Sequence, residues 1–285
     1  MLQQTRVVAV LDHYTRFMLR FPTVQALAAA RHSSVLTVWS GLGYYHRARR
    51  MHQAAKVIVG ERKGKFPRTA EEWRNLPGIG RYTAAAIASI AFGEAAAVVD
   101  GNVDRVLERM FGRAEGRETA WLRAEALLDR ERPGDFNQAM MELGATLCTP
   151  RSPQCVLCPL NTWCQSQGAE TRPPQPPRRQ KQLWYALARK DGAVLLVQRA
   201  ADASLMPGMW ELPTVPQGQH NGCTPVASLR HSITDTDYQI SVIAVSLEQL
   251  RGLEQSCWFT RKQWERLPLT GLARKVLRKV QVASS

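Results

Sequence analysis

Four cysteines fall within a short stretch of this chain: Cys148, Cys155, Cys158 and Cys164, spaced C-x6-C-x2-C-x5-C. Clustered thiols containing a C-x2-C pair point to a metal site rather than to disulfides. The proline-containing loop TPRSPQ between the first two can fold the thiolates around one centre. Zinc and a [4Fe–4S] cluster both accept four thiolates, and spacing alone leaves both open. Four buried free thiols are the plain alternative, and so tight a grouping speaks against it. Cys223 and Cys257 stand apart and read as core or surface thiols.

Two further segments are suited to chemistry. Leu76-Pro77-Gly78-Ile79-Gly80 lies between helical stretches and opens the helix RYTAAAIASIAF. Proline fixes the entry, and the glycines Gly78 and Gly80 permit positive φ and close backbone approach. The free N–H groups at the helix start would then face an anion such as a DNA phosphate. A turn used only for packing is the alternative. Val98-Val99-Asp100-Gly101-Asn102 places a carboxylate at the end of an apolar run, just before another helix. Asp100 there can cap the helix. A carboxylate beside a nucleic-acid groove can instead stabilise a sugar cation during glycosidic cleavage. The pattern does not choose between these roles.

Helices must position most of these groups. Apolar residues recur at three- and four-residue spacing up to about residue 165, as in Ala84, Ala85, Ile87, Ala88 and Ala91. The segment GAETRPPQPPRRQK is rich in proline and basic residues and reads as an extended linker. Strand-like alternation follows: LWYALARK and AVLLVQRA read as a hairpin about Asp191-Gly192, and YQISVIAVSL as another strand. GLARKVLRKVQ reads as an amphipathic basic helix. The expected organisation is an all-α domain over 1–167 with its cysteine loop at 148–164, a linker at 168–182, and an α/β domain over 183–285.

The 285 residues carry Lys+Arg 38 against Asp+Glu 24, a net charge of +14 spread along the chain. Such a surface favours polyanions, nucleic acid above all. Hydrophobic residues make up 45%, enough for a real core and too many for a disordered chain. No run of about 18 apolar residues suggests a membrane span. The N-terminus lacks the apolar stretch of a secretory signal, so the expected compartment is the cytoplasm, with nucleoid association in a bacterium.

Taken together, LQQT at 2–5, WSGLGYYHRARRMHQAA at 39–55, LPGIGRYTAAAI at 76–87, VVDGNVDRVL at 98–107, FNQAMMELGATLC at 136–148 and the four cysteines resemble the adenine DNA glycosylases of the MutY type. VLLVQRAADASLMPGMWELP at 194–213 resembles the MutT-like, Nudix-fold domain of that family. It lacks the Glu-rich metal-binding helix of active Nudix hydrolases, so it reads as a recognition module. The resemblance implies a helix–hairpin–helix glycosylase fold, a [4Fe–4S] cluster on the four cysteines, and a monomer acting on duplex DNA. It implies removal of adenine mispaired with 8-oxoguanine or guanine, after extrusion of the base.

Carried over residue by residue, Asp100 would stabilise the oxocarbenium-like sugar and Asn102 would help orient the site. Tyr82 stands where endonuclease III enzymes carry a Schiff-base lysine; a phenol cannot form an imine, so a monofunctional glycosylase is expected. Its hydroxyl is expected near Asp100. Gln4 and Tyr44 match wedge residues beside the lesion, with Leu2 and Leu42 as buttresses or as plain core. Glu142 matches a position that reads the adenine edge. Thr234 keeps a hydroxyl where the family carries the serine of an 8-oxoguanine-inspecting Phe-Ser-His element, while Asp235 replaces the histidine.

The family's Glu-Val pair, whose glutamate protonates adenine, precedes the methionine that matches Met1. A start codon placed too late and a truncated paralogue both account for this, and the intact remaining motifs favour the first. The sequence from Met1 is expected to bind DNA and turn over poorly, since removal of a positioned acid costs ~10²–10⁴-fold. The rival readings are an endonuclease III-like enzyme for oxidised pyrimidines and a non-catalytic lesion-binding paralogue.

Overall fold

The computed structural model describes the chain except residues 4, 6, 113–115, 169–176, 201, 204–205, 217–221, 234, 247–249, 251–252, 254 and 283–285. Its contacts form two compact units, residues 1–59 with 176–285 and residues 60–175. The first therefore draws on both ends of the chain, which composition along the sequence does not reveal.

The first unit begins with helices α1 (Val7–Arg20), α2 (Val24–Ala29), α3 (His32–Trp39) and α4 (His46–Gly60, whose last residue belongs to the second unit). Val10 and Phe17 lie two turns apart on α1 and face one apolar cluster with Phe21, Leu36, Trp39 and Met209. The second unit holds α5 (Ala70–Arg74), α6 (Arg81–Phe92), α7 (Gly101–Met110), α8 (Arg117–Leu127) and α9 (Pro133–Thr146). A capping box between Thr69 and Glu72 starts α5, and Pro133 starts α9. Val99, Val103, Val106 and Leu107 form one stripe that packs with Trp121, Ala124 and Met140.

Asn137 fixes the extended run ahead of α7. It is 1% exposed. Its Oδ1 accepts from the Val98 N–H at 3.1 Å, and its Nδ2 donates to Ser89 Oγ and Ala96 O, both at 2.9 Å. One buried amide thus satisfies backbone groups that no strand partner serves.

The remainder of the first unit is α/β: β1 (Arg179–Leu187), β2 (Arg189–Lys190), β3 (Ala193–Gln198), β4 (Trp210–Glu211), β5 (Ala227–Ile233), β6 (Thr236–Ala244), β7 (Ser256–Thr260), α10 (Arg261–Trp264) and α11 (Gly271–Val282). β6 pairs with β1 in parallel and with β5 antiparallel, while β3 pairs with β2, β4 and β7. Leu272, Val276, Leu277 and Val280 of α11 pack on Tyr185, Leu196, Ile240 and Val242. Loop and sheet segments are tied to the N-terminal helices within this unit. Ser40 Oγ and Tyr45 Oη donate to Leu269 O at 2.9 and 3.3 Å, and Arg274 donates to Ser40 Oγ at 2.9 Å.

Two local expectations change. The expected hairpin keeps its turn, with Asp191 at φ 49° and Gly192 at φ 73°, but its first strand is short: Arg189 and Lys190 pair with β3, and Ala188 O accepts from the Leu195 N–H. Residues before Ala188 belong to the other sheet, where Leu183 faces Ile240 and Tyr185 faces Val242. That partner is far along the chain, beyond the reach of local alternation. The linker expected over 168–182 also ends earlier, because β1 begins at Arg179. Among the described residues no helix is long and apolar enough to cross a membrane.

Candidate functional site

Asp100 caps α7. Its Oδ1 accepts from the Asn102 and Val103 N–H groups, both at 2.8 Å. Among the described residues its Oδ2 accepts no hydrogen bond. Capping therefore occupies one oxygen of a half-buried carboxylate and leaves the other open. Tyr82, in the first turn of α6, does not hydrogen-bond Asp100 as expected. Its hydroxyl donates to Met141 Sδ at 3.6 Å. The phenol is pushed above its ordinary pKa, first by burial and then by the negative charge of Asp100. It is therefore a neutral group within the field of the carboxylate.

Asn102 does not reach out alone. Its Oδ1 accepts from Arg105 at 2.9 Å, and Arg105 also donates to Gly144 O at 2.6 Å and Cys148 O at 2.9 Å. Arg109, one turn further, is buried and donates to Thr149 O at 2.8 Å, Pro150 O at 2.9 Å and Cys148 Sγ at 3.4 Å. One face of α7 thus joins the carboxylate region to the start of the cysteine loop. The sequence reading passed over both arginines. The available signal was their spacing, three and seven residues after Asn102 on one helix face.

α7 and α9 approach closely at Gly144, where a Cβ would lie 2.8 Å from Asn102 Cβ and 3.0 Å from Asn102 O. Gly144→Ala is expected to cost about 1–3 kcal/mol through overpacking and to displace Asn102. Thermal unfolding checks the first effect, and an unchanged melting temperature would refute it. Glu142 sits on the same helix, exposed to solvent.

In the turn before α6, Gly78 has φ 76°, whereas Gly80 has φ −91° and serves as the N-cap without a side-chain cap. Only the first glycine uses the left-handed region. No side chain caps the start of α6 at Gly80, and the positive end of a helix there suits an anion.

Cys148, Cys155, Cys158 and Cys164 line one cavity together with Arg109, Asn161 and Gly168. Short 3₁₀ turns at Cys155–Leu157 and Asn161–Trp163 bring the thiols around. A Cβ on Gly168 would meet Cys155 Sγ at 2.9 Å. Arg109 Nε is buried and without a partner among the described residues. Burial, then the neighbouring thiols of Cys164, Cys148 and Cys158, push the Cys155 thiol up. Bound iron would relieve that repulsion. No three His, Cys, Asp or Glu side chains converge closely enough for a single ion among the described residues. Four thiols spaced around a cavity suit a polynuclear cluster better than one zinc.

In the first unit, Tyr44 is 38% exposed at φ 46°, while Leu42 is 6% exposed and belongs to the apolar cluster of Trp39. Leu2 is exposed. Gln4 and Thr234 lie outside the described residues. Asp235 pairs with Arg179 at 3.7 Å. Cys223 and Cys257 are exposed.

A helical unit with a glycine hairpin, a capping aspartate and a four-thiol loop defines a base-excision repair class. Residues 1–128 match the HhH-GPD superfamily of base excision DNA repair proteins, and residues 148–164 match the iron-sulfur binding domain of endonuclease III. The chain is 40% identical over 292 aligned positions to an adenine DNA glycosylase of Rattus norvegicus, covering 81% of this chain and 56% of that one. It is 52% identical over 176 positions to the Homo sapiens adenine DNA glycosylase, covering 59% and 32%. A solved thermostable thymine-DNA glycosylase is 30% identical with a TM-score of 0.54, covering 58% of this chain and 79% of that one. The chain spans about half the length, or less, of these curated relatives. It belongs to the HhH-GPD superfamily of base excision DNA repair proteins, and its cysteine loop holds a [4Fe–4S] cluster.

Proposed function

We propose that this chain removes adenine mispaired with 8-oxoguanine or guanine from duplex DNA, acting as a monomer. The observation that carries the reading is its similarity to curated adenine DNA glycosylases over 81% of its length. The free Oδ2 of Asp100 supports it chemically. As the C1′–N9 bond breaks, the electron pair leaves with adenine and positive charge develops on the sugar. Asp100 stabilises that charge in a half-buried setting where Coulomb attraction exceeds its value in water. Water then adds at C1′, and the proton it loses balances the one the departing adenine takes up, leaving free adenine and an abasic sugar. Tyr82, a neutral phenol, offers no amine for a strand-cleaving imine. Glu142 is assigned to the adenine edge, and Gln4 and Tyr44 to the gap left by the extruded base, with the buried Leu42 as a buttress. Thr234 is assigned to the opposite, oxidised base. Gly78, Gly80 and the start of α6 hold a phosphate. The cluster, when bound, fixes the 148–164 loop through its thiolates. By chain order the glycosylase domain is 1–167 and the MutT-like domain, expected over 183–285, begins with β1 at Arg179.

Single-turnover assays on A:8-oxoguanine, A:G and thymine-glycol duplexes test this reading. Adenine release and no thymine-glycol release are expected. Release of thymine glycol, or no adenine release, would overturn the proposal.

A further inference from the structure

Arg47, in the first turn of α4, gathers two segments that are separate in sequence. Its Nη1 donates to Met1 O at 3.1 Å and to Gln3 O. Its Nη2 donates to Thr5 Oγ1 at 3.1 Å and reaches Leu42 O and Gly43 O at 3.4 and 3.5 Å. The guanidinium also lies 5.5 Å from the Trp39 ring centroid and 5.3 Å from that of Tyr44. Trp39 Nε1 donates to the same Gly43 O at 3.1 Å. Arg47 therefore holds Met1, Gln3 and Thr5 and lies against the Tyr44 ring.

Tyr44 needs support of this kind. It is an exposed aromatic residue in the left-handed region, and Gly41 and Gly43 beside it are also at positive φ. Such backbone persists only where its surroundings over-determine it. A planar fork with two nitrogens and a flat cationic face can serve both segments at once. A lysine ammonium has no such geometry.

Resting on the glycosylase reading, we infer that Arg47 is a positioning residue for base extrusion: it ties Met1, Gln3 and Thr5 to the 41–45 loop, so that Tyr44 enters the duplex from a fixed loop. The same cation that orders the free protein sets the geometry of the gap. Arg47 touches no reacting atom. Its loss acts on extrusion rather than on the bond-breaking step.

The probe is a duplex with 2-aminopurine opposite 8-oxoguanine, whose fluorescence rises when the base leaves the stack. This readout requires no chemistry. Arg47→Lys is expected to reduce the fluorescence gain about tenfold and to slow single-turnover adenine release by about 10²-fold, the scale of a small misplacement. Affinity for undamaged duplex, melting temperature and visible iron–sulfur absorption should stay at the level of the unsubstituted chain. A full fluorescence gain with Arg47→Lys overturns the inference. Should that variant fail to fold, Thr5→Val removes a single acceptor of the clamp. It must then show a reduced gain, and a full gain overturns the inference equally. A gain without adenine release by the unsubstituted chain faults the glycosylase reading alone.

Discussion

Asp100→Asn is expected to leave a folded, DNA-binding protein whose adenine release is slower by about 10²–10³-fold or more, as for the loss of a preorganised charge at a reacting centre. Asparagine is as good an N-cap as aspartate. Its carbonyl oxygen can accept the same two N–H groups that Oδ1 accepts at 2.8 Å. The substitution therefore keeps the capping role and removes the negative charge. Melting temperature and single-turnover rate, measured on one preparation, separate the roles. A rate within a few fold of the unsubstituted chain would show that Asp100 only caps α7, and the sugar-cation mechanism would fall.

Loss of one cysteine ligand should have the second large effect. Around the thiols, the 148–168 loop has little of its own to hold it. Val156 is 94% exposed, and Leu157 and Trp163 are also exposed. Its regular structure amounts to two 3₁₀ turns. Without thiolate–iron bonds such a segment opens locally at little cost. Cys155→Ser is expected to abolish the visible absorption of the cluster. It should also lower amide exchange protection over 148–168 by about 10²-fold or more, while the α6–α9 core retains most of its protection. Cys257→Ser, at an exposed thiol, should change neither. Cluster absorption that survives Cys155→Ser would refute the four-thiolate assignment. Because Arg105 and Arg109 connect the loop to α7, the same variant should also slow adenine release.

Much of the site was legible because its signals are local. The cysteine spacing named a metal loop, the Leu-Pro-Gly-Ile-Gly turn named an anion-facing helix start, and the double valine before Asp100 named a capped helix at the end of an apolar run. Each depends on a few neighbouring residues and on backbone rules that hold in any fold. The hydrogen-bond partner of the Tyr82 hydroxyl was not legible for the opposite reason. Its partner, Met141, is on a helix that only packing brings near. The strand over 183–187 showed its alternation but not its neighbour, since pairing with β6 is a long-range event.

The sequence by itself determined the chemical inventory: four thiols, a carboxylate after Val98-Val99, a phenol in place of an amine, and a basic surface. Those follow from residue type and spacing, which no tertiary contact can alter. Tertiary structure decided what each group does with its free atoms. It gave one oxygen of Asp100 to the helix and left the other open, ran Arg105 and Arg109 back to the cysteine loop, and closed Arg47 over two segments more than thirty residues apart. Hydrogen bonds and close packing are short-ranged in space but not along the chain, so only folding could assign them.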